Sequence, residues 1–89
     1  MSNLDKNESN YSDDKLSLEI RALEFIKNGK LSKAEKIYRY LIDKGTQNHI
    51  TYGNLAIICG VNGNSDDMIR FLRKSIEIDP LYEQAYNNL

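Results

Sequence analysis

Apolar residues recur at helical spacing along most of the chain, and glycine or proline interrupts them at regular intervals. Between 49 and 62, Tyr52, Leu55, Ala56 and Cys59 occupy positions i, i+3, i+4 and i+7, which form one stripe of an α-helix. The same reading predicts an all-α chain without strands. Its expected helices lie at about 14–28, 31–44, 49–62 and 65–78, with a fifth beginning near residue 81.

The chain also aligns with itself at a constant shift, the one that pairs Ala22 with Ala56 and Gly29 with Gly63. Size and chemistry are largely kept at the other pairs, so the pattern predicts helix pairs that repeat along the chain. Residues 1–13 are polar and offer little to bury, which predicts a disordered tail. The remaining residues, 14–89, are expected to form one repeat domain, with full repeats at 15–48 and 49–82 and a partial repeat at 83–89.

A unit of this length and composition resembles the tetratricopeptide repeat. The second unit supplies the pattern residues Tyr52, Leu55, Ala56, Gly63, Leu72, Asp79 and Pro80, and the first supplies Leu18, Ala22, Phe25, Gly29, Ala34 and Tyr38. The resemblance implies antiparallel helix pairs stacked as an α-solenoid, a superhelix with a concave inner surface. The chain departs from the pattern at Met68, where a small alanine is usual, and at Thr46, which replaces a proline. We therefore expect the second helix pair to open slightly and the connection after Gly45 to be loose.

The shared phase of the two units also predicts the buried residues. Small side chains let paired helices approach closely, and large ones fill the space between them. The expected core consists of Leu18, Ala22, Phe25, Ala34, Tyr38, Tyr52, Leu55, Ala56, Cys59 and Leu72.

The resemblance implies that the first helix of each pair lines the concave groove. The candidate groove residues lie off the core stripe and are Glu19, Leu23, Lys27, Gly53, Asn54, Ile57, Val61 and Asn88. Ile57 and Val61 would form the apolar floor of a groove that binds a peptide or an amphipathic helix. Gly53 and Gly60 have no side chains and would leave this groove open. The alternative is that these side chains pack against a neighbouring helix.

Asn54 and Asn88 occupy equivalent positions in consecutive repeats. An asparagine amide offers both a donor and an acceptor, so it can hold the backbone of an extended peptide. The repeats of O-linked N-acetylglucosamine transferases are similar, with a ladder of asparagines at this phase. Ile20 occupies the position in the first unit, so a ladder would begin at the second. The alternative is an ordinary helix-surface asparagine.

The chemistry-bearing residues favour binding over catalysis. Cys59 is the single cysteine, which excludes an intrachain disulfide, and His49 has no nearby histidine or cysteine with which to bind a metal ion. We expect no enzyme activity, cofactor or metal. The net charge of -1 disfavours binding to nucleic acid or a membrane surface. The polar N-terminus and short apolar runs predict a soluble, cytoplasmic protein.

These observations predict a protein–protein interaction module that binds a peptide or helix of a partner protein. The alternative is the N-terminal, substrate-recruiting repeat region of a larger enzyme, such as a glycosyltransferase of the O-linked N-acetylglucosamine type. The incomplete third unit also leads us to expect self-association through an uncapped C-terminal end, where Ile69, Leu72 and Ile76 would stay partly exposed.

Overall fold

Helices account for most of residues 11–82, the range that the computed structural model describes. The elements are α1 (Tyr11–Lys27), α2 (Leu31–Asp43), α3 (His49–Val61), α4 (Ser65–Ile78) and a 3-10 turn at Pro80–Tyr82. No strand occurs within the described range, which confirms the all-helical class there.

The helix boundaries lie close to those predicted from the sequence, with one larger difference at the start. Helix α1 begins at Tyr11, so residues 11–13, which the sequence assigned to the tail, belong to its first turn. The rest of the tail, the partial repeat at 83–89 and the candidate residue Asn88 lie outside the described residues. At the predicted start of a fifth helix the structure has the short 3-10 turn.

Within the described range, three of the four helices end in the same backbone motif. Gly63 shows why this motif needs a glycine. Its φ of 81° lies in the left-handed region, where a Cβ atom is strained. This conformation lets the Gly63 amide donate to the Gly60 carbonyl at 3.0 Å and the Asn64 amide donate to the Cys59 carbonyl at 2.8 Å. These two bonds define a Schellman motif, which satisfies carbonyl groups that the helix end leaves open.

Hydrogen bonds that the sequence did not predict hold the connection after Gly45. Gly45 ends α2 with the same pair of hydrogen bonds, including one from the Thr46 amide to the Leu41 carbonyl at 3.1 Å. The Tyr52 hydroxyl donates to the Thr46 carbonyl at 3.4 Å, which ties the connection to the next helix. The connection that was expected to be loose thus has backbone and side-chain hydrogen bonds where the repeat pattern has a proline.

Asparagine side chains begin the helices of the second pair. Asn48 accepts from the Ile50 amide at 3.0 Å at the start of α3, and Asn64 accepts from the Asp67 amide at 3.3 Å at the start of α4. Each bond satisfies a backbone donor that has no partner within its helix.

The chain divides into two compact units, Met1–Ile37 and Tyr38–Leu89, so the division falls inside α2 and not between the predicted repeats. In the first unit, Ala22 and Ala34 have no exposed surface, as predicted. Leu18 and Phe25 are only half-buried, and the Lys33 ammonium group lies 5.6 Å from the centre of the Phe25 ring.

The second unit contains most of the buried side chains, and α3 and α4 pack against each other within it. The helices are antiparallel: the Ser75 hydroxyl, near the end of α4, donates to the carbonyl of His49 at the start of α3 at 2.8 Å. The predicted burial is confirmed for Tyr38, Tyr52, Leu55, Ala56 and Cys59.

Helix α4 is rotated relative to the expected core. Leu72 is half-buried, whereas Phe71 and Ser75 are buried. The Phe71 ring lies against the Tyr52 ring, with 6.4 Å between their centres, and this contact places Phe71 in the core. Leu72, Leu18 and Phe25, which were expected in the core, are thus half-buried and less enclosed than the other expected core residues.

Candidate interaction surface

A line of exposed apolar side chains runs along α3. Ile50 is 41% exposed, Ile57 48% and Val61 65%. They are spaced at i, i+7 and i+11, so they share one face of the helix over about 16 Å. This α3 stripe contains Ile50 and the candidate groove residues Ile57 and Val61.

The rest of α3 is almost entirely enclosed. Its buried residues are Thr51, Tyr52, Gly53, Leu55, Ala56, Ile58 and Cys59. The helix contains no lysine, arginine, aspartate or glutamate, so the α3 stripe has no charged side chain of its own helix beside it. Apart from Asn54, the α3 stripe therefore presents only apolar side chains to a partner protein.

Helix α1 presents an apolar line at the equivalent positions. Leu16, Ile20 and Leu23 are all exposed, and each lies one repeat length before a residue on the α3 stripe face. Leu23, a candidate groove residue, is thus exposed at the surface of α1. Lys27 continues this line and is exposed, whereas Glu19 beside it is half-buried.

Asn54 lies within the α3 stripe and has a partner inside the chain. Its amide nitrogen donates to the hydroxyl of the fully buried Tyr38 at 3.0 Å. Asn54 therefore links α3 to the second half of α2 and satisfies a polar group at the core. This contact supplies an intrachain reason for an asparagine here, independent of any ladder with Asn88.

The two glycines expected to open the groove behave differently. Gly53 is buried and offers little surface to a ligand. Gly60 faces α4 instead, because a Cβ atom added there would lie 2.7 Å from the Met68 sulfur. The missing side chain at Gly60 makes room for Met68. At the equivalent positions of the first unit the sizes are exchanged, with Ile26 and Ala34.

A charged cluster lies at the start of α4. The Arg70 guanidinium donates to the Asp67 carboxylate at 2.8 Å, and the Arg39 guanidinium lies 3.9 Å from the same group. The hydrogen bond from Arg70 is the main cause that holds the pKa of Asp67 below its ordinary value of 3.8; partial burial opposes it, and Asn64 and Arg39 add to it. Both guanidinium groups also lie over the Phe71 ring, at 5.6 Å for Arg39 and 4.6 Å for Arg70.

Histidine and cysteine are residue types that often serve in catalysis or metal binding. Here the side chains of His49 and Cys59 contact other side chains of the fold. The His49 imidazole lies 3.5 Å from the Asp79 carboxylate, which joins the start of α3 to the residue that ends α4. The Cys59 thiol is buried and lies 3.9 Å from the Arg39 guanidinium. Among the described residues, no three histidine, cysteine or acidic side chains are grouped so that they could hold a metal ion.

None of the helices in the described part of the chain is both long enough and apolar enough to cross a membrane.

Comparison of the chain with protein-family models, with curated proteins and with solved structures gives no match.

Proposed function

We propose that the chain is part of a helical repeat array of the tetratricopeptide type, and that it binds other proteins through the first helix of each repeat. The observation that supports this most is the α3 stripe. Isolated exposed apolar residues are ordinary on protein surfaces, but three of them on one face of an uncharged helix are typical of a binding surface.

The equivalent line on α1 supports the same proposal. Two helices, one repeat length apart in the sequence, expose apolar side chains at matching positions while each buries a small alanine. Each unit thus presents an apolar line of its own on the first helix of its repeat.

The partner that fits the α3 stripe is the apolar face of an amphipathic helix. Apolar side chains at i, i+3 or i+4 and i+7 of such a helix would match the spacing of Ile50, Ile57 and Val61. Since α3 has no charge, this binding should depend little on salt. The proposal does not require the amide of Asn54, which Tyr38 already engages.

A peptide-display selection against the full chain tests this function. We expect enriched peptides with apolar residues at helical spacing, and their addition should shift the backbone NMR signals of Ile57 and Val61. Ile57→Gln should weaken binding by about 1–2 kcal/mol because it replaces an aliphatic side chain at the contact with a polar one of similar size.

Tyr40→Gln is the matched control, since it alters another exposed side chain away from α3. The proposal fails if no helical pattern is enriched, or if Ile57→Gln and Tyr40→Gln have the same effect on the affinity of the selected peptides.

A further inference from the structure

A second surface, distinct from the α3 stripe, lies along the outer side of α4. It is an open groove of about 600 Å³ with an apolar floor made by Ile42, Tyr52, Ile69 and Phe71. Ile69 is exposed within it. The groove follows α4 from Asp66 to Glu77, which is about 16 Å of helix. We call it the α4 groove.

The charges that border the α4 groove are only partly neutralised. Arg70 is paired with Asp67 at 2.8 Å and Lys74 with Glu77 at 3.3 Å, each pair on adjacent turns of α4. Arg73 lies between these two pairs, is exposed, and makes no ion pair with any residue of the described range. The middle of the groove therefore presents one unbalanced positive charge beside an apolar floor.

An acidic residue that makes no ion pair in the described range lies at one end. Asp66 borders the groove in the first turn of α4, seven residues before Arg73 and so about 10 Å from it along the helix axis. A bound segment would be favoured in the direction that keeps its acidic residue near Arg73 and away from Asp66.

We propose that the α4 groove binds an amphipathic helical segment of a partner protein, with a single carboxylate that faces Arg73 between apolar side chains that cover Ile69. The length of the groove suits about three turns of helix, which is the usual form of helix-in-groove recognition. The charge on Arg73 selects the acidic residue, and the floor supplies the apolar contact. This site is independent of the function proposed for the α3 stripe, because the two surfaces share no residue.

Three synthetic probes test this proposal on the full chain. The first is a helical peptide of about twelve residues with leucines at i, i+3 and i+7 and one glutamate between them; the second has lysine in place of glutamate, and the third has serine in place of the leucines. Fluorescence anisotropy gives the affinities, and backbone NMR shifts locate the bound probe. We expect the glutamate probe to bind about five- to tenfold more tightly than the lysine probe, and the serine probe to bind weakly.

Arg73→Glu should reverse this preference, so that the lysine probe becomes the tighter ligand. Arg73 is exposed, so the fold should tolerate the change, and circular dichroism checks this. Lys36→Glu is the matched control: it makes the same charge change on an exposed lysine of α2 and should leave the preference as it was.

Several results would overturn the proposal. Equal binding of the glutamate and lysine probes would show that Arg73 does not select the ligand. NMR shifts confined to the α3 stripe would place the peptide there, which would count against this site while supporting the proposed function. Concentration-dependent association that Ile69→Asp abolishes, without any added peptide, would show that a second copy of the chain occupies the groove.

Discussion

The amide nitrogen of Asn54 lies 3.0 Å from the hydroxyl oxygen of Tyr38 and donates a hydrogen bond to it across sixteen residues of sequence. Tyr38 has no exposed surface, so the bond satisfies a hydroxyl group that water does not reach. Tyr38→Phe should lower the free energy of unfolding by about 1 kcal/mol, the usual net value of such a bond. Urea denaturation measures the change.

A double-mutant cycle with Asn54→Ile isolates this interaction, because Ile20 already occupies the equivalent position of the first unit. We expect a coupling of about 1 kcal/mol, whereas strictly additive effects would show that the bond is not formed. Tyr40→Phe, which removes a hydroxyl from an exposed tyrosine, serves as control and should change the stability by less than about 0.5 kcal/mol.

The fit between Gly60 and Met68 predicts a specific rescue. Gly60→Ile should destabilise the protein by about 1–3 kcal/mol, because even its Cβ atom would lie 2.7 Å from the Met68 sulfur. Met68→Ala in the same chain should restore much of the loss, since it reproduces the pairing of Ile26 with Ala34. Thermal melting of the single and double variants measures both effects.

Gly63→Ala provides the contrast. Nothing lies within 4 Å of a Cβ atom at this position, but φ is 81°, so the cost of about 1–2 kcal/mol comes from backbone strain alone. Met68→Ala should not relieve it. If Met68→Ala rescued Gly60→Ile and Gly63→Ala equally, the effect of Met68 would not come from a steric clash with the side chain at residue 60.

The lowered pKa of Asp67 predicts an acid-sensitive contribution to stability. A carboxylate whose pKa is lower in the folded than in the unfolded state stabilises the fold above the unfolded value of 3.8, and this contribution is lost as the pH falls below it. The urea midpoint of the wild type should therefore fall more steeply between about pH 4 and pH 2 than that of Asp67→Asn. Arg70→Gln should flatten the curve in the same way and add little to Asp67→Asn, since Arg70 is the main cause of the shift.

Ala56 tests the close approach of the helices. It has no exposed surface, so Ala56→Trp should overpack the contact and cost about 1–3 kcal/mol or more. Ile57→Trp places the same side chain on the next residue, which is exposed, and should have little effect on the melting temperature. Equal effects of the two variants would contradict the helix register.

The helix ends were predictable because their signals are local. Gly29 and Gly63 follow the last apolar residue of a helical stripe, and the left-handed conformation that both adopt is one that glycine favours. The caps at the helix starts were harder to predict. The predicted starts at 31 and 65 are where α2 and α4 begin, but the sequence pattern did not indicate that Asn64 caps α4. A shift of one residue is enough to change which side chain forms the cap.

The core of α4 and the surroundings of the α3 stripe depend on contacts between helices, which the repeat period does not encode. Alignment with Tyr38 favoured Leu72 as the core residue, but the ring contact with Tyr52 turns Phe71 inward. Similarly, Met68 looked like a departure from the repeat pattern when judged alone. Only the structure shows that Gly60, on the facing helix, compensates for it.

The absence of charge on α3 affects how the chain folds during its synthesis. Leu55–Cys59 is an uncharged apolar segment with two isoleucines, the kind of sequence that pairs with other copies of itself as β-strands when it is unprotected. During synthesis, only Asn62, Gly63 and Asn64 separate α3 from the charged helix α4 that covers it. The order of the helices therefore shortens the time for which a nascent chain exposes its most aggregation-prone segment, and loss of α4 would leave that segment open in every copy.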